Sequence, residues 1–162
     1  PPKPKKVPFE TRLNELKDSR GAIDKIESVA PFVKLMEEEK TMKNRPIMLA
    51  VINVSNKPIQ EKMIELGAVL TMKEWLKDCS EKNKPKVMIH IMNVLSKMPL
   101  SLENLKSTEI GKVVKGLLKT HATNERMYLY IYIMVDQVFL CFVILLFRRL
   151  VPVSFFVLYM CG

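Results

Sequence analysis

Residues 94–119, VLSKMPLSLENLKSTEIGKVVKGLLK, are the stretch that decides the fold. Apolar residues recur in it with helical spacing. Pro99 must end the first helix, because proline lacks an amide hydrogen and disfavours the helical conformation of the residue before it. Ser101 is placed to cap a short helical turn, and Ser107 or Thr108 starts a last helix. The stretch therefore predicts short helices joined by tight turns.

The residues before this stretch show the same pattern of short apolar helical stripes interrupted by proline or glycine. Helix breaks are predicted at residues 44–46, 55–58 and 83–85, where asparagine and proline stand close together. Asn56 is predicted to cap the helix that follows it, and Gly67 to end that helix in the left-handed conformation. No useful length before residue 127 alternates with the period of two that marks a strand.

These features predict an all-α fold, a compact right-handed bundle of short helices. Its core is expected to contain Val87, Ile91, Val94, Leu95, Ile110, Val113 and Leu117. On the helix after Pro46, helical spacing assigns the buried face to Ile47, Ala50, Val51 and Val54. A glycine inside a helix costs about 1 kcal/mol relative to alanine, so we expect another helix to pass close to Gly111.

An armadillo-like fragment is the alternative architecture. Residues 59–76 read as helix, glycine, helix, which is the layout of one armadillo unit. Such units stabilise one another by stacking, and about three are needed. A single copy is visible, so the bundle is favoured.

The chain of 162 residues changes character after residue 126. The net charge is +9, yet all but two of the 26 lysines and arginines lie before residue 127. Lys3, Lys5 and Lys6 belong either to a nuclear localisation signal or to a solvated linker. Three units are predicted: a basic Pro/Lys-rich lead-in with a first helix at residues 1–27, a helical domain at residues 28–120 and a hydrophobic tail at residues 121–162.

The decisive stretch resembles the N-terminal domain of transcription elongation factor S-II, also called the TFIIS N-terminal or LW-type domain. The matching positions are Met98, Pro99, Leu100, Ser101, Leu105, Ser107, Ile110, Gly111, Lys112 and Val114. Residues 63–78, MIELGAVLTMKEWLKD, look like the helix pair that precedes this motif in members such as PNUTS, the Spt-six-interacting elongation factor and Luminidependens. The resemblance covers residues 28–120 and implies a nuclear transcription or elongation regulator.

The tail departs from the family pattern, in which a closing helix with a tryptophan follows the Thr-Asn-Glu-Arg found here at residues 123–126. Two interpretations stay open. Residues 127–147 are long enough to cross a bilayer, with Arg148 and Arg149 flanking such an anchor. In the second interpretation, the tail is a translation of non-coding or frame-shifted sequence. We favour this second interpretation because Asp136 would lie near the middle of a membrane-spanning helix, where the residues are most apolar.

No enzymatic, cofactor or metal site is predicted. His90 lies off the main apolar face of its helix, and the three cysteines are isolated, without the spacing of a metal site. No phosphate-binding glycine loop or paired-carboxylate site is recognisable. The acidic run at residues 37–39 is interpreted as a solvated helix face.

The candidate partner-binding residues lie on two helices. The family resemblance implies docking of short, disordered motifs from elongation or chromatin factors, with an apolar anchor among acidic residues, and a link to the RNA polymerase II machinery. Lysines beside an apolar helix end suit such motifs. We therefore expect one groove to be bordered by Lys73, Trp75, Lys77, Lys112 and Lys115, although a core position for Trp75 is the alternative.

Two other functions stay open. Direct nucleic-acid binding would use the lysines, but these are interspersed with acidic residues, and Trp75 is the one aromatic residue after Phe32 and before the tail. A membrane-tethered helical adaptor requires the tail to be genuine. A non-catalytic protein-interaction module is therefore ranked first.

Overall fold

The computed structural model describes the backbone of residues 7–120 and the side chains of residues 7–117. Within this range the chain is helical and forms no strand, which confirms the predicted all-α class. The helices are α1 (Phe9–Asn14), a 3₁₀ turn (Ile26–Ser28), α2 (Val29–Glu38), α3 (Arg45–Val54), α4 (Lys57–Glu65), α5 (Ala68–Glu81), α6 (Pro85–Lys97), α7 (Leu102–Thr108) and α8 (Ile110–Thr120). The predicted hydrophobic tail, with either interpretation of it, and residues 1–6 lie outside the described residues.

The predicted helix boundaries have the expected local causes. The Asn56 side chain accepts a hydrogen bond from the amide of Ile59 at 3.0 Å, and so caps α4. Gly67 has a φ of 95°, the left-handed conformation that separates α4 from α5. Ser101 and Asn104 cap α7 reciprocally, each side chain accepting from the other residue's amide. Polar caps and glycine therefore set the short helix lengths.

Helix α5 lies at the centre of the bundle, in contact with α2, α4, α6, α7 and α8, while α3 packs against α6. Five of the predicted core residues are buried, namely Ile91, Val94, Leu95, Ile110 and Leu117. Val87 and Val113 pack against this core from half-buried positions. One helix surrounded by its neighbours is the arrangement of a bundle.

The predicted face of α3 is wrong in part. Ile47 and Val54 are 43% and 54% exposed and Ala50 is exposed as well, whereas Met48 and Ile52 are fully buried. Val51 is buried as predicted. Because RPIMLAVINV is apolar on nearly every side, more than one face satisfies helical spacing, and the sequence does not choose between them.

The expected close approach at Gly111 is also wrong. A Cβ atom built on Gly111 meets no atom within 4 Å in the part of the chain that the structure describes. Its φ is not in the left-handed region either. Neither packing nor backbone conformation accounts for this glycine.

The segment before residue 28 packs onto the helical bundle. Leu13 and Ile23 are buried in the shared core, and the Ile23 amide donates a buried hydrogen bond to Ser55 Oγ at 3.0 Å. Arg12 pairs with Glu38 at the end of α2, with 2.8 Å between Nη2 and Oε2. The domain boundary at residue 28 stays a prediction, and these contacts argue for an earlier one. Between residues 7 and 120, no helix has the length and apolar character needed to cross a membrane.

Candidate partner-binding site

Lys73 joins α5 to the junction between α7 and α8. Its Nζ donates to the carbonyl oxygen of Thr108 at 2.9 Å. Thr108 is the last residue of α7, where carbonyl groups lack helical partners and the helix dipole is negative. Lys73 therefore stabilises the end of α7 as well as adding charge to the surface.

Lys112 lies on the other side of the same junction. It forms a close ion pair with Glu109, whose backbone is left-handed at φ 53°. The hydrogen bond and charge of Lys112 lower the pKa of Glu109, and the charge of Lys73 lowers it further. Lys73 and Lys112 thus contact neighbouring residues at the junction between α7 and α8.

Lys77 and Lys115 extend this basic surface. Lys77 follows Lys73 by one helical turn and pairs with Glu74 at 2.9 Å. Lys115 follows Lys112 by three residues and is exposed, with no ion pair among the described residues. We call Lys73, Lys77, Lys112 and Lys115 the lysine face. Whether it binds a partner stays a prediction.

Trp75 lies apart from the lysine face. It is two residues from both Lys73 and Lys77, a spacing that points side chains to different sides of a helix. Only 4% of it is exposed, and the Arg45 guanidinium stands over its ring at 5.4 Å from the ring centre. The structure therefore supports the core position for Trp75.

Arg45 is the polar residue that sequence reasoning missed. It is 4% exposed, and its Nη2 lies 2.7 Å from Asp78 Oδ2 without the alignment of a good hydrogen bond. The other Asp78 oxygen pairs with Lys82 at 2.7 Å. Arg45 Nε is buried without an acceptor in the described part of the chain. The Asp78 carboxylate and the Trp75 ring together compensate the buried cation.

Sulfur atoms complete the surroundings of Arg45. Its Nη1 lies 3.2 Å from Met42 Sδ and 3.5 Å from Cys79 Sγ. Burial raises the pKa of the Cys79 thiol, although the neighbouring Arg45 opposes that rise. Cys79 is a buried free thiol, as the sequence indicated. No group of acidic, histidine or cysteine side chains suited to a metal ion occurs among the described residues.

A cavity of about 520 Å³ opens above Arg45, between the end of α2, the start of α3 and one side of α5. We call it the α2–α5 cavity. Leu70 stands on its wall with 49% of the residue exposed, and Trp75 lies beside it. None of the four residues of the lysine face lines it. Helix α5 thus presents a basic surface on one side and this cavity on another.

Comparison with known proteins bears directly on the decisive stretch. Residues 90–126 match the family model Med26, a TFIIS helical bundle-like domain. The predicted resemblance to this family is confirmed over these residues. The match to the TFIIS helical bundle-like domain ends at residue 126, where charge and hydropathy change.

Curated relatives share more of the chain. Serine/threonine-protein phosphatase 1 regulatory subunit 10 of Xenopus laevis is 27% identical over 114 residues, which is 70% of this chain and 14% of the relative. The Rattus norvegicus protein of that name is 26% identical over 106 residues, 65% of this chain and 12% of the relative. The chain thus spans about one seventh or less of these relatives' length. A helical-bundle family and regulatory-subunit relatives indicate a non-catalytic interaction module of a regulator.

Proposed function

We propose that this chain is a nuclear module that docks short, disordered, acidic-apolar motifs of transcription elongation or chromatin factors on its lysine face. The observation that supports it is the meeting of α5 with the junction between α7 and α8, where Lys73 contacts the Thr108 carbonyl and Lys112 pairs with Glu109. Half-buried Val113 and Val114 on α8 supply apolar surface near these charges. A phenylalanine or leucine of the motif packs there, and its acidic neighbours face the lysines.

The intramolecular ion pairs leave these lysines available to a partner. Lys112 is exposed and pairs with Glu109 three residues away, and Lys77 pairs with Glu74 in the same manner. Exposed pairs of this kind contribute little to stability because solvent screens them, so a partner's carboxylates replace them at little cost. The apolar anchor supplies most of the affinity, whereas the lysines orient the motif and raise its association rate.

The setting proposed for this module is the RNA polymerase II machinery in the nucleus. The TFIIS helical bundle-like match supports the link to transcription, and the regulatory-subunit relatives support a role in recruitment rather than catalysis. Because a disordered motif must become ordered when it binds, the dissociation constant is expected to be roughly micromolar. Such weak contacts suit exchange between several partners.

The test is a titration of a labelled acidic, phenylalanine-containing peptide against the wild type and a Lys112→Glu, Lys115→Glu variant. We expect the variant to bind at least about tenfold more weakly, and wild-type association to slow as salt is raised. The matched control is Lys84→Glu, Lys86→Glu, which changes the net charge equally at exposed positions near the start of α6. Lys73 is left intact because it also holds the end of α7.

Two outcomes would overturn the proposal. Equal binding by wild type and variant, without salt dependence, would remove the lysine face from the mechanism. Tighter binding of duplex DNA than of any such peptide would favour a nucleic-acid-binding domain instead.

A further inference from the structure

Helix α3 carries a row of apolar residues on its solvent-exposed side. Ile47 and Val54 are 43% and 54% exposed, and Ala50 between them is exposed too. Spacings of three and four residues place them on one side of the helix, in a row about 10 Å long. We call these three residues the α3 stripe. Single exposed apolar residues are ordinary on a protein surface, whereas a row along one helix is the pattern by which helices pack on one another.

The chain around the α3 stripe contains no acidic residue. Residues 40–60, which include all of α3, carry four lysines and arginines and no Asp or Glu, although the chain has 17 acidic residues. Lys43 before α3 and Lys57 at the start of α4 are exposed, and neither forms an ion pair among the described residues. Helix α6 packs against α3 and lies within residues 82–102, which are likewise free of acidic residues. The stripe is therefore an apolar surface with an unpaired cation beyond each end.

Charge and side-chain chemistry decide which occupant suits the α3 stripe. A second copy of the chain would bring the same unpaired cations to the contact, and like charges oppose association. Nucleic acid would satisfy the lysines, but residues 40–60 and 82–102 contain no aromatic side chain on which bases could stack. Ile47 and Val54 also donate no hydrogen bond to phosphates or base edges. An acidic protein segment with an apolar row of its own matches both the stripe and the lysines.

We propose that the α3 stripe docks an amphipathic helix of a partner protein, in which acidic residues flank the apolar row. Such a helix presents apolar side chains at every third or fourth residue, which is the spacing of the stripe. Its carboxylates face Lys43 and Lys57, one beyond each end of the row. The docking surface includes no residue of the lysine face, so the proposal is independent of the function proposed for that face.

Titration of the full chain with a fluorescent designed peptide tests the proposal. The peptide is helical, with leucines at the spacing of the stripe and glutamates on both flanks. We expect an Ile47→Gln, Val54→Gln variant to bind it at least about tenfold more weakly than the wild type, because two apolar contacts are lost. The matched control is Val7→Gln, Ile26→Gln, which alters residues 53% and 62% exposed elsewhere and should bind like the wild type. Circular dichroism checks that both variants keep their helices.

Charge exchange provides a second measurement. A Lys43→Glu, Lys57→Glu variant should bind the glutamate-flanked peptide more weakly and with less salt dependence. The same peptide with lysines in place of its glutamates should bind this variant better than it binds the wild type. The Lys112→Glu, Lys115→Glu variant should bind the glutamate-flanked peptide within about twofold of the wild type, because it leaves the docking surface intact.

The proposal is overturned if the Ile47→Gln, Val54→Gln variant and its control bind the glutamate-flanked peptide equally, or if charge exchange has no effect. Duplex DNA that binds more tightly than the peptide, and is lost in the Lys43→Glu, Lys57→Glu variant, would assign the surface to nucleic acid. Sedimentation that shows a wild-type dimer and a monomeric Ile47→Gln, Val54→Gln variant would assign it to a second copy of the chain. Because this surface and the lysine face share no residue, failure of one is distinguishable from failure of the other.

Discussion

Single glycines in this molecule fall into two physical classes. Gly67 has a φ of 95°, a region in which a side chain clashes with the backbone, so glycine is required there to end α4. Gly116 lies inside α8 with an ordinary helical φ, and a Cβ built on it meets no atom of the described residues within 4 Å. The same substitution should therefore have opposite effects at the two positions.

We expect Gly67→Ala to lower the free energy of unfolding by about 1–2 kcal/mol, the strain of a non-glycine residue in the left-handed region. Gly116→Ala should raise it by about 0.5–1 kcal/mol, since alanine loses less backbone entropy in a helix. Urea denaturation of each variant beside the wild type measures both changes. A loss of stability at Gly116 would mean that a neighbour occupies the space beside it.

Residue-level features were the most predictable from sequence. The caps at Asn56 and Ser101 and the left-handed Gly67 follow from local chemistry, because each acts on a backbone group within three residues. The prediction that another helix passes close to Gly111 was wrong. It depended on where a helix distant in sequence packs. Local sequence carries no such information.

At the scale of elements, the pair between Arg45 and Asp78 ties the start of α3 to α5. Hydrogen bonding from Lys82 lowers the pKa of Asp78, and Arg45 lowers it further, while burial acts in the opposite direction. Because the pKa of the folded state lies below that of the unfolded state, ionised Asp78 stabilises the fold. That contribution is present above the unfolded pKa and disappears as pH falls through the folded value.

We expect Asp78→Asn to destabilise by about 1.5–3 kcal/mol at neutral pH, because Arg45 is left buried without its anion. The difference from wild type should shrink as pH falls below about 4, because the unfolded wild-type chain binds a proton at Asp78 there before the folded protein does. Urea denaturation of both proteins between neutral pH and pH 3 follows this difference. Lys82→Met, which removes an exposed partner, should cost less than about 1 kcal/mol.

A difference that stays constant as pH falls would show that the charge of Asp78 is not what stabilises the folded state. A Lys82→Met variant as unstable as Asp78→Asn would instead assign the main electrostatic contribution to Lys82 rather than to Arg45.

Element pairing explains what sequence reasoning could not supply. Helical spacing and breaks located the short helices, but α3 is apolar on several sides, so its buried face depends on where α6 lies. Arg45 and Asp78 are far apart along the chain, and each alone reads as an ordinary surface charge. The candidate site could be predicted only in part for the same reason. The separation of Trp75 from the lysine face depends on which sides of α5 the neighbouring helices cover.

For the molecule as a whole, the open question is where the cooperative unit begins. The family resemblance places its start at residue 28. The structure buries Leu13, Ala22 and Ile23 against the bundle, and Ser55 Oγ accepts from the Ile23 amide. If these contacts belong to the folding unit, residues before 28 contribute to global stability rather than to a separate appendage.

Ile23→Ala tests this, with Ile26→Ala as its matched control. Ile23 is fully buried, so its truncation should lower the free energy of unfolding by about 2–5 kcal/mol. Ile26 is 62% exposed, and the same change there should stay within about 0.5 kcal/mol. Urea denaturation monitored by helical circular dichroism and by Trp75 fluorescence should give coincident curves for both proteins.

If Ile23→Ala leaves the Trp75 transition unmoved, the segment unfolds independently, and the cooperative unit begins near residue 28. If the Trp75 transition shifts with the loss of helix, the core extends to Leu13, because a local contact does not change the global midpoint.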